Sequence, residues 1–149
     1  MATVLLNKKV GTNTALLGSE LNSLATATDS AAGTAFDNTP STTDNGFLGG
    51  EMELYITFGT NPTAGSAAYV YMVAAPDGTN YGDANSTAAR IVATLPLRAT
   101  TSAQRLSRYV SAEALPCCNL KFFVRTDAGQ TAASSGNTLK FLPEYMQAN

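Results

Sequence analysis

Two carboxylates two residues apart, Glu51 and Glu53, form the pair in this chain best spaced for acid–base work. On a strand they share one face about 7 Å apart, a separation that glycoside hydrolysis uses. Acidic residues on the solvated face of any sheet have that spacing by default, so the pair alone does not make an active site. The chain contains no histidine, which removes the commonest general base, any Ser-His or Cys-His nucleophile pair, and most transition-metal sites. Cys117 and Cys118 are adjacent. On a strand they point to opposite faces, and two cysteines without histidine make no zinc site, so they read as free thiols in a reducing compartment.

The loop around Asp77, Asn80, Asp83 and Asn85 gathers oxygen ligands of the kind Ca²⁺ takes, but it lacks the alternating acids and closing Glu of an EF-hand. Turns rich in Asp, Asn and Gly look this way for conformational reasons alone. Tyr81 in the same loop offers a ring on which a sugar could stack. The GFLGG segment at 46–50 leads into a strand and lacks a Lys, so it is not a phosphate loop. These patterns predict no enzyme, no cofactor and no metal.

The elements that must position these residues read as β-strands. The stretch from Glu51 to Asp83 is the organising one. Met52, Leu54, Ile56 and Phe58 alternate with Glu51, Glu53, Tyr55 and Thr57, the period of a strand with one buried face. Gly59 to Ser66 reads as a turn joining a strand pair. Tyr69 to Ala75 is apolar on both faces, which predicts a central strand covered on both sides or lying against a partner subunit. Further runs begin near Ala2, Thr34, Arg90, Gln104, Cys118 and Asn137, with Asp127 to Asn137 as the last long hairpin loop. Pro96 and Pro143 predict edge positions or bulges.

Thr14 to Ala27 is the one candidate helix, with Leu17, Leu21 and Leu24 at helical spacing and Gly18 placing its start at Ser19. The expected fold is therefore all-β: an antiparallel β-sandwich of about eight strands, jelly-roll-like, with one short N-terminal helix. Residues 1–10 form an N-terminal arm or edge strand, and residues 11–149 a single sandwich domain.

At 149 residues the chain is long enough to bury a core without disulfides. Charged residues make up only 13%, and the net charge is −2, so little self-repulsion opposes assembly. Residues 1–89 hold two lysines against eight acids, net −6, and residues 90–149 seven bases against three acids, net +4. Either subunits meet head to tail or interleaved strands mix the halves in space. No basic run with aromatics suggests nucleic acid. No apolar run near 18 residues suggests a membrane span, and MATVLLNKKVG places its apolar patch before its lysines, the reverse of a signal peptide.

One order of segments carries a resemblance: SELNSLA (19–25), AFDNT (35–39), EMELYITF (51–58), YVYMVAAPDGTNYGD (69–83), LPLR (95–98), LPCCNLKFFVRTDAGQ (115–130) and SSGNTLKFLPEY (134–145). Over Ser19 to Tyr145 the chain resembles small jelly-roll virion proteins of tailed bacteriophages, the capsid decoration (cement or staple) proteins. The resemblance implies a protein made in the host cytoplasm and placed on the outer capsid surface. There it would clamp neighbouring major capsid subunits, as a dimer or trimer, with neither nucleic acid nor membrane as partner. Under that reading the contact residues are Val4, Leu5 and Leu6 of the arm, Asp77, Gly78, Asn80 and Tyr81 of the loop, and Arg105 and Arg108. Three apart on a strand, the two arginines point to opposite faces, so at most one meets a given acidic patch. The alternative is a carbohydrate-binding, fibre or baseplate module, since phage jelly rolls share the fold without the role.

Overall fold

The computed structural model describes residues 6–39 and 47–148. They form nine strands: β1 (Leu6–Val10), β2 (Thr14–Leu17), β3 (Phe36–Asp37), β4 (Phe47–Ile56), β5 (Ala67–Ala75), β6 (Arg90–Pro96), β7 (Gln104–Ser111), β8 (Asn119–Thr126) and β9 (Thr138–Ala148). One sheet runs β1-β9-β4-β7, with β2 also on β9, and the other runs β3-β8-β5-β6. Every strand pairing is antiparallel. Among the described residues no helix is long and apolar enough to cross a membrane.

The alternation read in β4 sets the architecture. Met52, Leu54 and Ile56 are fully buried and meet Val70, Met72, Leu120, Phe122, Val124, Leu139 and Phe141 in one core between the sheets. Phe36 closes one side with its ring edge on Phe141, centroids 5.3 Å apart. Such side chains each contribute about 2 kcal/mol or more by leaving water, so the core fixes which face of each strand points inward.

β1 and β2 lie end to end along the edge of β9 that β4 does not occupy, with Val10 opposite Glu144 and Thr14 opposite Phe141. The interruption falls opposite Pro143, which has no N–H to give the ladder. Only its carbonyl is used, accepting from the Gly11 N–H at 2.7 Å. A Cβ on Gly11 would stand 2.8 Å from both the Pro143 ring and the Tyr145 ring, so the break is built around glycine and proline together.

Three expectations change. The leucine helix is absent: Thr14–Leu17 is strand β2, and only Ser19–Leu21 makes a single 3₁₀ turn. Gly18, with φ −141° and ψ −98°, leaves the helical region, and Asn22 returns to extended backbone. Leu16, Leu17, Leu21 and Leu24 still reach the core, but along a winding chain. Second, β4 and β5 are not a pair; they lie in different sheets, so residues 59–66 cross between layers. The same holds for residues 127–137, between β8 and β9. Third, the edge of the second sheet is longer than β3. Residues 27–33 continue along β8 through Ala27, Ser30 and Gly33 amides donating to Thr126, Val124 and Phe122 carbonyls.

Candidate functional site

The loop singled out as a contact site belongs to a longer segment, residues 76–89, that folds back over the outer face of the second sheet. Beneath it Tyr71 and Phe123 stack at 5.0 Å with rings 7° from parallel. With Val73 they form a second apolar cluster, against which Tyr69, Tyr81 and Ala89 pack. Burial of both faces of β5 thus has a source within the chain: its own downstream loop.

Both ends of that segment are anchored. Asp77 Oδ1 accepts from the Thr79 and Asn80 amides at 2.9 and 2.8 Å, and Oδ2 accepts from Asn80 Nδ2 at 2.7 Å. These bonds, the Asn80 amide first, hold the exposed Asp77 carboxyl down at about 2. Gly78, at φ +79°, makes the turn, and its carbonyl accepts from Asn119 Nδ2 at 2.9 Å. Further on, Asp29 Oδ2 accepts from the Ser86 amide at 2.9 Å while Arg125 Nη1 donates to Asp29 Oδ1 at 3.3 Å. Burial pushes the Asp29 carboxyl up, but the Ser86 and Arg125 bonds together outweigh it and leave it below the ordinary carboxylate range.

Asp77, Asn80 and Tyr81 therefore serve the loop's own fold. Tyr81 is half-buried, with Lys121 Nζ 4.5 Å from its ring centroid. Among the described residues no three His, Cys, Asp or Glu side chains group to hold a metal.

The two arginines go separate ways. Arg105 lies on the outer face of the first sheet, 5.8 Å over the Tyr55 ring and 3.7 Å from Glu53 Oε2, and its side chain remains 69% exposed. Arg108 sits opposite Met52 in the register and so leans to the other side of β7. There it lines a shallow hollow of about 440 Å³ with Ile91, Thr94 and Pro96 of β6. Leu6 opens β1, while Val4 and Leu5 lie outside the described residues. A second hollow, about 370 Å³, marks the break between β1 and β2, lined by Lys9, Val10, Thr14, Phe36, Pro143 and Tyr145.

Glu51 and Glu53 share the outer face of β4, each half-buried. Glu53 stands directly opposite Lys140 and near Arg105, which makes it part of a mixed charged surface rather than a paired-carboxylate cleft. Acids of the first half meet bases of the second half here and at Asp29–Arg125, as interleaved strands predict. Cys117 is exposed, Cys118 is buried, and both are free. Among the described residues the large apolar side chains most exposed are Val10, Ile91 and Tyr109, none of them among the expected contact residues. Tyr109 faces outward opposite Glu51, Val10 stands at the strand break, and Ile91, which alternates in sequence with Ala93 and Leu95, is turned out by a bulge in β6 opposite Val70 and Tyr71.

No family model matches the chain, and comparison with curated proteins and with solved structures gives no significant match.

Proposed function

We propose that this chain is a structural virion protein that binds the outer surface of a bacteriophage capsid and clamps neighbouring major capsid subunits. The observation that carries the reading is the strand order. Counting β1 and β2 as one interrupted strand gives eight, and the sheets then order 1-8-3-6 and 2-7-4-5. Strand pairs 1·8, 2·7, 3·6 and 4·5 are those of a strip of hairpins rolled into a jelly roll, which supports the fold that the resemblance implies; fibre and baseplate modules share that fold, and the clamp role comes from the resemblance. The interleaved charges and the loop-covered second sheet fit a durable scaffold with an interface. On a capsid each copy would contribute a modest contact. Bridging two capsomers makes the second contact intramolecular, so many weak clamps resist internal pressure together.

The carbohydrate-binding alternative relies on Tyr81 as a stacking platform. That ring is half-buried, with Lys121 over one face, which counts against it as a stacking platform. The test is sedimentation of the purified chain with capsids that lack it. Saturable binding at a fixed ratio to the major capsid protein is expected; failure to co-sediment at any concentration would remove the reading.

A further inference from the structure

The two outer faces of the sandwich are treated differently. The second sheet's is roofed by residues 76–89, whereas the first sheet's carries Tyr109 at 48% exposure, Arg105 with a 69% exposed side chain, and Val10 at 54%. The register lays out this open face row by row. Leu142, Glu51 and Tyr109 form one row, Lys140, Glu53 and Ser107 the next, and Thr138, Tyr55 and Arg105 the third. Val10 and Glu144 lie beyond the first. Tyrosine and arginine around a few aliphatic side chains is the composition of protein interfaces.

Charge runs along the strands in one direction. Glu144 and Glu51 stand at one end, and Lys140 with Glu53 in the middle. Arg105 stands at the other end. A face that is acidic at one end and basic at the other complements a copy of itself turned end for end, which a two-fold axis running across the strands brings about.

We infer that the outer face of the β1-β9-β4-β7 sheet is a self-association surface, on which a second copy of this chain packs antiparallel with Glu51 toward the partner's Arg105 end. The rows from Gly49 to Tyr55 span roughly 20 Å, and the four strands roughly 15 Å. Two such patches cover roughly 600 Å² together, the size of weak encounters, so the association is reversible and shows only at high concentration. The inference deepens the assembly part of the proposed function; its test uses the purified chain alone, so its failure leaves capsid binding untouched.

The experiment is sedimentation velocity on the full chain from about 10 µM to about 1 mM, with two charge-altered variants. Glu51→Lys with Glu53→Lys makes the face basic, and Arg105→Glu with Lys140→Glu makes it acidic. The wild type is expected to dimerise reversibly, and more weakly as salt is raised. Each variant alone should dimerise at least about tenfold more weakly, and an equimolar mixture should regain association. Tyr109→Ser, which changes no charge, should weaken the dimer several-fold. Should a charge variant not fold, dilution of the wild type followed by NMR decides: shifts confined to residues of these rows support the surface. A chain monomeric throughout the range, variants that dimerise as the wild type does, or dilution shifts lying elsewhere would each overturn it.

Discussion

Asn137 holds more of the fold than its polarity suggests. It is buried, its Oδ1 accepts from the Thr57 amide at 3.0 Å, and its Nδ2 donates to the Ala133 carbonyl at 2.8 Å and to Asn22 Oδ1 at 3.2 Å. Asn137→Ala leaves the part-buried Thr57 amide and Asn22 Oδ1 without this partner, while the Ala133 carbonyl keeps the Ser23 amide at 2.9 Å, at a cost of about 2–3 kcal/mol. For a chain of this size that is a fall in Tm of roughly 5–10 °C, measurable by calorimetry. Gly33 is a second pivot: a Cβ there would stand 2.0 Å from the Leu16 carbonyl oxygen, whereas nothing lies within 4 Å of one on Gly59. Gly33→Ala should cost about 2 kcal/mol or more, and Gly59→Ala less than about 0.5 kcal/mol, by urea denaturation. For Asp77 the carboxyl is depressed to about 2, so its hold on the turn is present above the ordinary carboxylate pKa and is lost only as pH falls through about 2. The Thr79 and Asn80 amide shifts should stay constant from about pH 7 to about pH 4 and move together near pH 2. A midpoint near the ordinary carboxylate value would contradict the capped turn.

At the scale of elements, residues 76–89 act as a cover secured by Tyr81 over the Tyr71–Phe123 stack and by the Asp29–Arg125–Ser86 cluster. Tyr81→Ala combined with Asp29→Asn should speed hydrogen exchange at the Gly82 and Ser86 amides more than about tenfold while core amides such as Met72 stay protected. Equal acceleration of both sets would mean that the segment opens only with the whole sandwich. Strand content was legible in the alternation of β4, because one buried face writes a period of two into the sequence. The helix was misread because Leu17, Leu21 and Leu24 reach the core at helical spacing from a strand and a turn. Spacing reports which side chains are buried, and Gly18, which reads in sequence as the helix start, instead follows the end of strand β2. Pairing was not legible at all. β4 and β5 are neighbours in sequence yet sit in opposite sheets, since a connection of residues 59–66 is as able to cross the sandwich as to turn back on itself. The candidate loop was legible as a turn, from Asp77, Gly78 and Asn80, but its destination over Phe123 is a long-range contact that local pattern does not encode.

Among the described residues the outer face of the second sheet is roofed by residues 76–89, the first sheet's is exposed at Tyr109 and Arg105, and residues 6–10 of the expected arm are the paired strand β1. This bears on how the arm is tested. Deleting residues 2–9 would remove most of β1 and strip its partner from β9 residues 145–148, so a loss of capsid binding would confuse arm and fold. Val4→Asp with Leu5→Asp leaves the β1 residues Leu6–Val10 unchanged. On the proposed reading it lowers capsid affinity at least about tenfold, read by co-sedimentation, with unchanged melting. Unaltered binding would take the arm out of the interface while leaving the rest of the surface in play. The most direct measurement is the copy number of this chain in purified phage particles relative to the major capsid protein, by quantitative mass spectrometry. A fixed, stoichiometric ratio, with the chain removable from the outside of intact heads, is the predicted result. Absence from particles, or a few copies per particle fractionating with tails, would contradict the capsid-clamp account.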